Sequence, residues 1–137
     1  MFLNPSFFDF WRPRILSLFR FVFGLQIFIF GTAKILKLPY VEMFANLPPL
    51  IQAAGIIELV GGALIMIGLF TRPAAFILSG QMAFAYFIGH VIPNDHALLP
   101  ILNGGVPPVL FCFAFLYLSV AGGGVWSVDA LLHGKKP

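Results

Sequence analysis

Long apolar stretches, broken by prolines and short polar clusters, organise this chain. The first runs from Ile15 to about Leu36, with Lys34 and Lys37 at its far end. Others run from Leu50 to Phe70, from Pro73 to about Ile92, and from near Pro107 to about Ala121. A helix needs ~20 mostly apolar residues to cross a hydrocarbon core. Four transmembrane helices are therefore expected, at about residues 15–36, 50–70, 73–92 and 107–121. Pro48-Pro49 cannot continue a helix but can begin one, and Thr71-Arg72-Pro73 reads as a tight reversal. Short reversals favour antiparallel neighbours, so the pattern predicts an all-α, up-down four-helix bundle in a single domain, residues 1–137.

The flanks differ from these runs. Phe2, Phe7, Phe8, Phe10 and Trp11 precede Arg12 and Arg14, as in an interfacial segment with rings at headgroup depth and cations in water. The first apolar run is too long for a signal peptide and has no small-residue cleavage site. At the other end, Gly122-Gly123-Gly124 reads as a flexible helix C-cap. Ser127 then fits an N-cap and Asp129 the first turn of a short interfacial helix within residues 126–137.

Composition agrees with the bilayer as solvent. Residues are 60% hydrophobic and only 9% charged, too few to clothe a soluble domain of 137 residues. The net charge of +3 is scattered at the edges of apolar runs, which points to membrane orientation and away from nucleic acid. Arg12, Arg14, Arg20, Arg72, Lys135 and Lys136 collect on one side, against Lys34 and Lys37 on the other. That asymmetry places both termini in the cytoplasm of an inner-membrane protein. Arg20 lies about a turn and a half inside the first run, within reach of the boundary by snorkelling. The lone Cys112 excludes an intrachain disulfide and reads as a small hydrophobe.

Glycines recur at seven-residue spacing: Gly24 and Gly31, Gly55 and Gly62, Gly61 and Gly68. Such a repeat keeps small side chains on the seam of a left-handed bundle. Ala75, Ser79 and Ala83 form a similar stripe at four-residue spacing.

Ionisable residues at membrane depth are candidates for function, because burial is costly unless they are partnered. Glu58 lies ~12 Å below the outer end of the second run, flanked on one face by Ala54, Gly55, Gly61 and Gly62. Counting depth along antiparallel neighbours brings Gln26 level with it, Tyr86 and His90 level or one turn above, and Lys34 two turns above. These five define an expected polar pocket opening toward the periplasm. Gln81 points away from His90 on the helical wheel and falls outside it. No metal site is expected: His90 is the only histidine in a run, and His96 and His133 lie in separate aqueous segments.

Taken in order, several segments resemble the DoxX family of small four-helix bacterial membrane proteins. They are Arg20 to Lys37, Gly55-Ile56-Ile57-Glu58-Leu59-Val60-Gly61-Gly62, Gly68-Leu69-Phe70-Thr71-Arg72, Gly89-His90, Asn103-Gly104-Gly105 and Trp126-Ser127-Val128-Asp129. Gly61, Gly62, Thr71, Arg72 and Asp129 form the structural part of this pattern. One departure is the Val106-Pro107-Pro108 that follows Asn103-Gly104-Gly105, where relatives often carry a glutamate; that acid's role is missing here or moved to Asp95.

The resemblance implies a membrane subunit linked to respiratory or quinone-related redox chemistry. Glu58, His90 and Tyr86 would then meet a quinone, and electrons would come from a soluble or membrane redox partner. Two other readings stay open: a non-catalytic assembly subunit of a larger complex, homo-oligomeric or not, and a small-molecule carrier with Glu58 as a proton-coupled site.

Overall fold

The computed structural model describes residues 4–134. Phe2 of the N-terminal aromatic set, and Lys135 and Lys136 of the orientation signal, lie outside them. The described residues form six α-helices: α1 Pro5–Ile35, α2 Pro49–Ile67, α3 Thr71–Tyr86, α4 Pro100–Asn103, α5 Val106–Ala121 and α6 Val128–Leu132.

The first helix departs from expectation at its start. It begins at Pro5 and runs unbroken through Pro13, so the aromatic segment is helical rather than a separate piece. Asn4 explains this, because its side chain accepts from the Ser6 N–H at 3.1 Å as an N-cap. Pro5 at the first helical position has no N–H to lose.

Helices α1 and α2 pack along their length, as do α3 and α5. The first pairing follows from the glycine repeat. A Cβ at Gly31 would stand 2.4 Å from the Leu59 nitrogen, and one at Gly62 would stand 2.6 Å from the Phe28 nitrogen. Each glycine lets the opposite backbone approach to van der Waals contact, which is what stabilises helix pairs in lipid. In the second pairing the buried Ser79 hydroxyl donates to the Cys112 carbonyl at 2.8 Å. Between the pairs lies a core of Ile27, Ile65, Ala75, Leu78, Phe115 and Leu118.

The reversal between α2 and α3 is tight because Gly68 adopts φ 73° and Leu69 N–H donates back to the Leu64 carbonyl at 2.9 Å. At the far end of α3 the chain continues through a wide π turn, Phe87–Val91, and a 3-10 turn, Ile92–Asn94. Three stretches are long and apolar enough to cross a membrane: Pro5–Ile35, Pro49–Ile67 and Thr71–Asn94. The fourth expected span is shorter than these, since α5 has 16 residues, or ~24 Å of helix. Its exposed Leu110, Phe113, Leu116 and Val120 are as apolar as the outward faces of the others.

Candidate functional site

Polar side chains gather in three places, and each is assembled from several helices. The deepest is Glu58. It is 3% exposed, on the face of α2 that also carries Gly55 and Gly62. Gly55 lets the Lys34 stem of α1 lie against α2, since a Cβ there would come within 3.0 Å of the Lys34 Cβ. The Lys34 ammonium reaches down to donate to both Glu58 oxygens at 2.9 Å. Its outer side faces the rings of Phe30 and Phe44, with centroids 5.8 and 5.5 Å away.

The third partner comes from α3, and it is Gln81. Its Nε2 donates to Glu58 Oε1 at 2.9 Å, whereas its Oε1 is buried without a hydrogen-bond donor. Helices α1, α2 and α3 thus meet at one carboxylate, as depth counting predicted, but through a residue that the reading had set aside. The wheel comparison with His90 misled, because the question was which side of α3 faces α2. Depth alone marks any polar residue inside a span as a candidate, and that signal was present for Gln81.

Gln26 does not join the group. It is exposed, since the face of α1 that meets α2 carries Gly24, Ile27 and Gly31, and Gln26 points away from that stripe. Tyr86 and His90 form a second cluster with Asn103, a residue that sequence reasoning noted only as part of a motif. Asn103 is 5% exposed. Its Nδ2 donates to the Ala97 carbonyl at 2.8 Å and lies 3.3 Å from the Tyr86 oxygen. The Tyr86 hydroxyl donates to the Leu98 carbonyl, and His90 Nδ1 is 3.1 Å from the Asn103 carbonyl. These contacts organise the chain between α3 and α5. Asp95 is exposed in that connection, with φ 55°.

The third cluster occupies the opposite end. Arg20 is 2% exposed and so does not snorkel. Its guanidinium donates to the carbonyls of Gly123 and Ile65, at 2.8 and 2.7 Å, and to those of Met66 and Trp126. Carbonyls in the last turn of α2 carry the negative end of the helix dipole and are under-satisfied, with Ile65 accepting only the capping Gly68 N–H at 3.1 Å. They are therefore natural acceptors for a buried cation.

Nearby, Ser17 Oγ accepts from the Trp126 N–H at 3.0 Å. Asp129 accepts from the N–H groups of Phe70 and Thr71, both at 2.9 Å, and so caps α3 from α6. Burial works against the Asp129 charge, but those N–H donors and the nearby His133 outweigh it and hold the carboxyl below its ordinary value. Ser127 caps α6 as expected, accepting from Ala130 N–H at 3.1 Å. Arg72 is exposed beside Gly122 and lines a cleft of about 320 Å³ with Asp129 and His133.

The fold and these buried charges define a multi-pass, all-helical membrane protein. The chain belongs to the DoxX family, whose model matches residues 15–91. That stretch takes in Arg20, Lys34, Glu58, Gln81 and His90. A protein of Haemophilus influenzae described as an uncharacterized protein is 41% identical over 122 residues, covering 87% of this chain and 91% of that one. No solved structure matches the chain.

Proposed function

We propose that this protein is a quinol-facing subunit of a respiratory or other quinone-linked redox system in the bacterial inner membrane. Glu58, Lys34 and Gln81 form its binding centre. The observation that carries this reading is the buried Gln81 Oε1, an acceptor with no donor. Such an atom costs ~1–3 kcal/mol and is answered by a ligand that brings an N–H or O–H. A quinol brings two hydroxyl donors, whereas the oxidised quinone presents only acceptors. Gln81 would orient the hydroxyl, and Glu58, bonded to the same amide at 2.9 Å, would hold the proton beside Lys34. When bound, a quinol supplies two electrons and two protons. The electrons pass to a partner protein, soluble or membrane-bound.

In this reading α5 is the fourth crossing of an up-down four-helix bundle, and the whole chain is one domain. Arg12, Arg14, Arg20 and Arg72 share the cytoplasmic end with both termini. The Lys34–Glu58–Gln81 centre then lies in the periplasmic half. Tyr86, at the end of α3, and His90, in the π turn after it, belong to the separate Asn103 cluster.

Titration of the purified protein with a short-chain quinol analogue under anaerobic conditions tests the assignment. Gln81→Leu is expected to weaken binding about tenfold, the loss of one hydrogen bond of ~1.4 kcal/mol, while thermal stability is kept. Lys34→Met/Glu58→Gln, which removes the proton-accepting carboxylate with its cation, should abolish carboxylate protonation when the bound quinol is oxidised, read by infrared difference spectroscopy. Equal affinity in wild type and Gln81→Leu overturns the proposal.

A further inference from the structure

The connection between the 3-10 turn Ile92–Asn94 and α5 is built in an unusual way for a loop in water. Leu98, Leu99, Ile101 and Leu102 are 66, 61, 84 and 66% exposed, so four large apolar side chains point away from the protein. Five of its carbonyls, by contrast, are paired within the protein. The Ala97 carbonyl accepts from Asn103 Nδ2 and the Leu98 carbonyl from Tyr86. The Leu99 carbonyl accepts from Leu102 N–H at 2.9 Å, and the Pro100 carbonyl from Gly105 N–H at 3.2 Å. Gly105 N–H lies 2.8 Å from Asn103 Oδ1, and the Asn103 carbonyl meets His90. Water would satisfy these carbonyls without help. Hydrocarbon would not, and each unmet group there costs several kcal/mol.

Helix length points the same way. The 16 residues of α5 give ~24 Å against a core of ~30 Å. Residues 97–105 adjoin its N-terminal end and are placed to supply the missing ~6 Å. We infer that residues 97–105 are immersed in the hydrocarbon of the leaflet nearest Lys34, as a non-helical cap that completes the fourth crossing, with Tyr86, His90 and Asn103 as the internal donors and acceptors that permit it. Its partner is lipid acyl chain: the outward side chains are Leu and Ile, with no charge among them to match a protein surface. The inference rests on the proposed fourth crossing by α5 and is independent of the quinol reading.

Nitroxide labels at Ile101→Cys, Phe113→Cys and Asp95→Cys, each in a Cys112→Ala background, test it. The protein is held in nanodiscs of phosphatidylethanolamine and phosphatidylglycerol. Collision with oxygen, which partitions into hydrocarbon, is compared with collision with a water-soluble nickel chelate. Oxygen is expected to dominate at 113 and 101, and the nickel chelate at 95. Nickel dominance at 101 with oxygen dominance at 113 overturns the immersion while leaving the fourth crossing intact. Weak collision with both reagents at 101 means that protein covers the segment, which also overturns it. Nickel dominance at 113 removes the fourth crossing and the inference together.

Discussion

Arg20 and Glu58 are both buried charges in apolar helices, and the molecule treats them in opposite ways. All four acceptors of Arg20 are backbone carbonyls, drawn from the end of α2 and the turn after α5. The planar, permanently charged guanidinium suits such a task because its five donors have fixed directions. Glu58 instead meets side chains, one cation and one amide, and its amide partner keeps an acceptor unpaired. A charge whose partners are all backbone, taken from separate elements, ties those elements together. A charge held by side chains, with an unpaired amide oxygen beside it, is the centre proposed for a ligand. The two sites also sit at different levels of the α1–α2 pair, so the Arg20 latch and the Glu58 group are physically separate.

The largest effect is expected where the latch is cut. Arg20→Met removes four charge-assisted bonds, leaving Ile65 its bond from Gly68 N–H and Gly123 its bond from Ser17 Oγ. Thermal or denaturant unfolding in detergent should show a loss of about 4 kcal/mol. Arg20→Lys should recover only part of it, because an ammonium cannot reproduce the fork. Full recovery by lysine would break the comparison, since any cation would then serve.

At the Glu58 end, Glu58→Ala strands the Lys34 ammonium and should cost about 3–5 kcal/mol. Lys34→Met/Glu58→Gln, with both charges gone, should cost about 1 kcal/mol or less, since replacing a buried pair is often near neutral. A double variant as unstable as the single one would make the pair a structural latch too.

A smaller effect is expected at the cap. Asp129→Asn should cost about 1–2 kcal/mol by weakening the bonds to the Phe70 and Thr71 N–H groups. Because the folded carboxyl is held below its ordinary value, its contribution is complete above the unfolded pKa of ~3.9. It is lost as pH falls further, through the folded value. The wild type should therefore lose stability below about pH 4 by an increment that Asp129→Asn lacks, read from unfolding midpoints against pH.

Much of the architecture was visible in the residues. Seven-residue glycine spacing led to the α1–α2 seam, because Gly24, Gly31, Gly55 and Gly62 each stand where the other helix comes too close for a side chain. Depth counting brought Lys34 to Glu58, since rise per residue is constant along a helix. It failed for Gln26 because depth says nothing of azimuth; Gln81 was set aside by its azimuth relative to His90, when what mattered was how α3 is rotated against α2. Arg20 was misplaced for a related reason: position within a span suggests the nearest water, but not a set of carbonyls folded back over the side chain. Tyr86 and His90 were recognised as polar at depth, but their partner Asn103 lies in a later connection whose path no local pattern specifies.

What the sequence by itself determined, then, is the solvent and the helices. Long apolar runs can satisfy their backbone in lipid only as helices, and prolines and glycines mark where those helices stop. Tertiary structure alone decided which polar groups meet. Gln81 reaches Glu58, Asn103 gathers Tyr86 and His90, and Arg20 joins the end of α2 to the turn before α6. Each of these contacts joins residues from different elements, so it depends on helix rotation and loop path. Those are set by packing across the whole bundle and leave no periodicity in the chain to read.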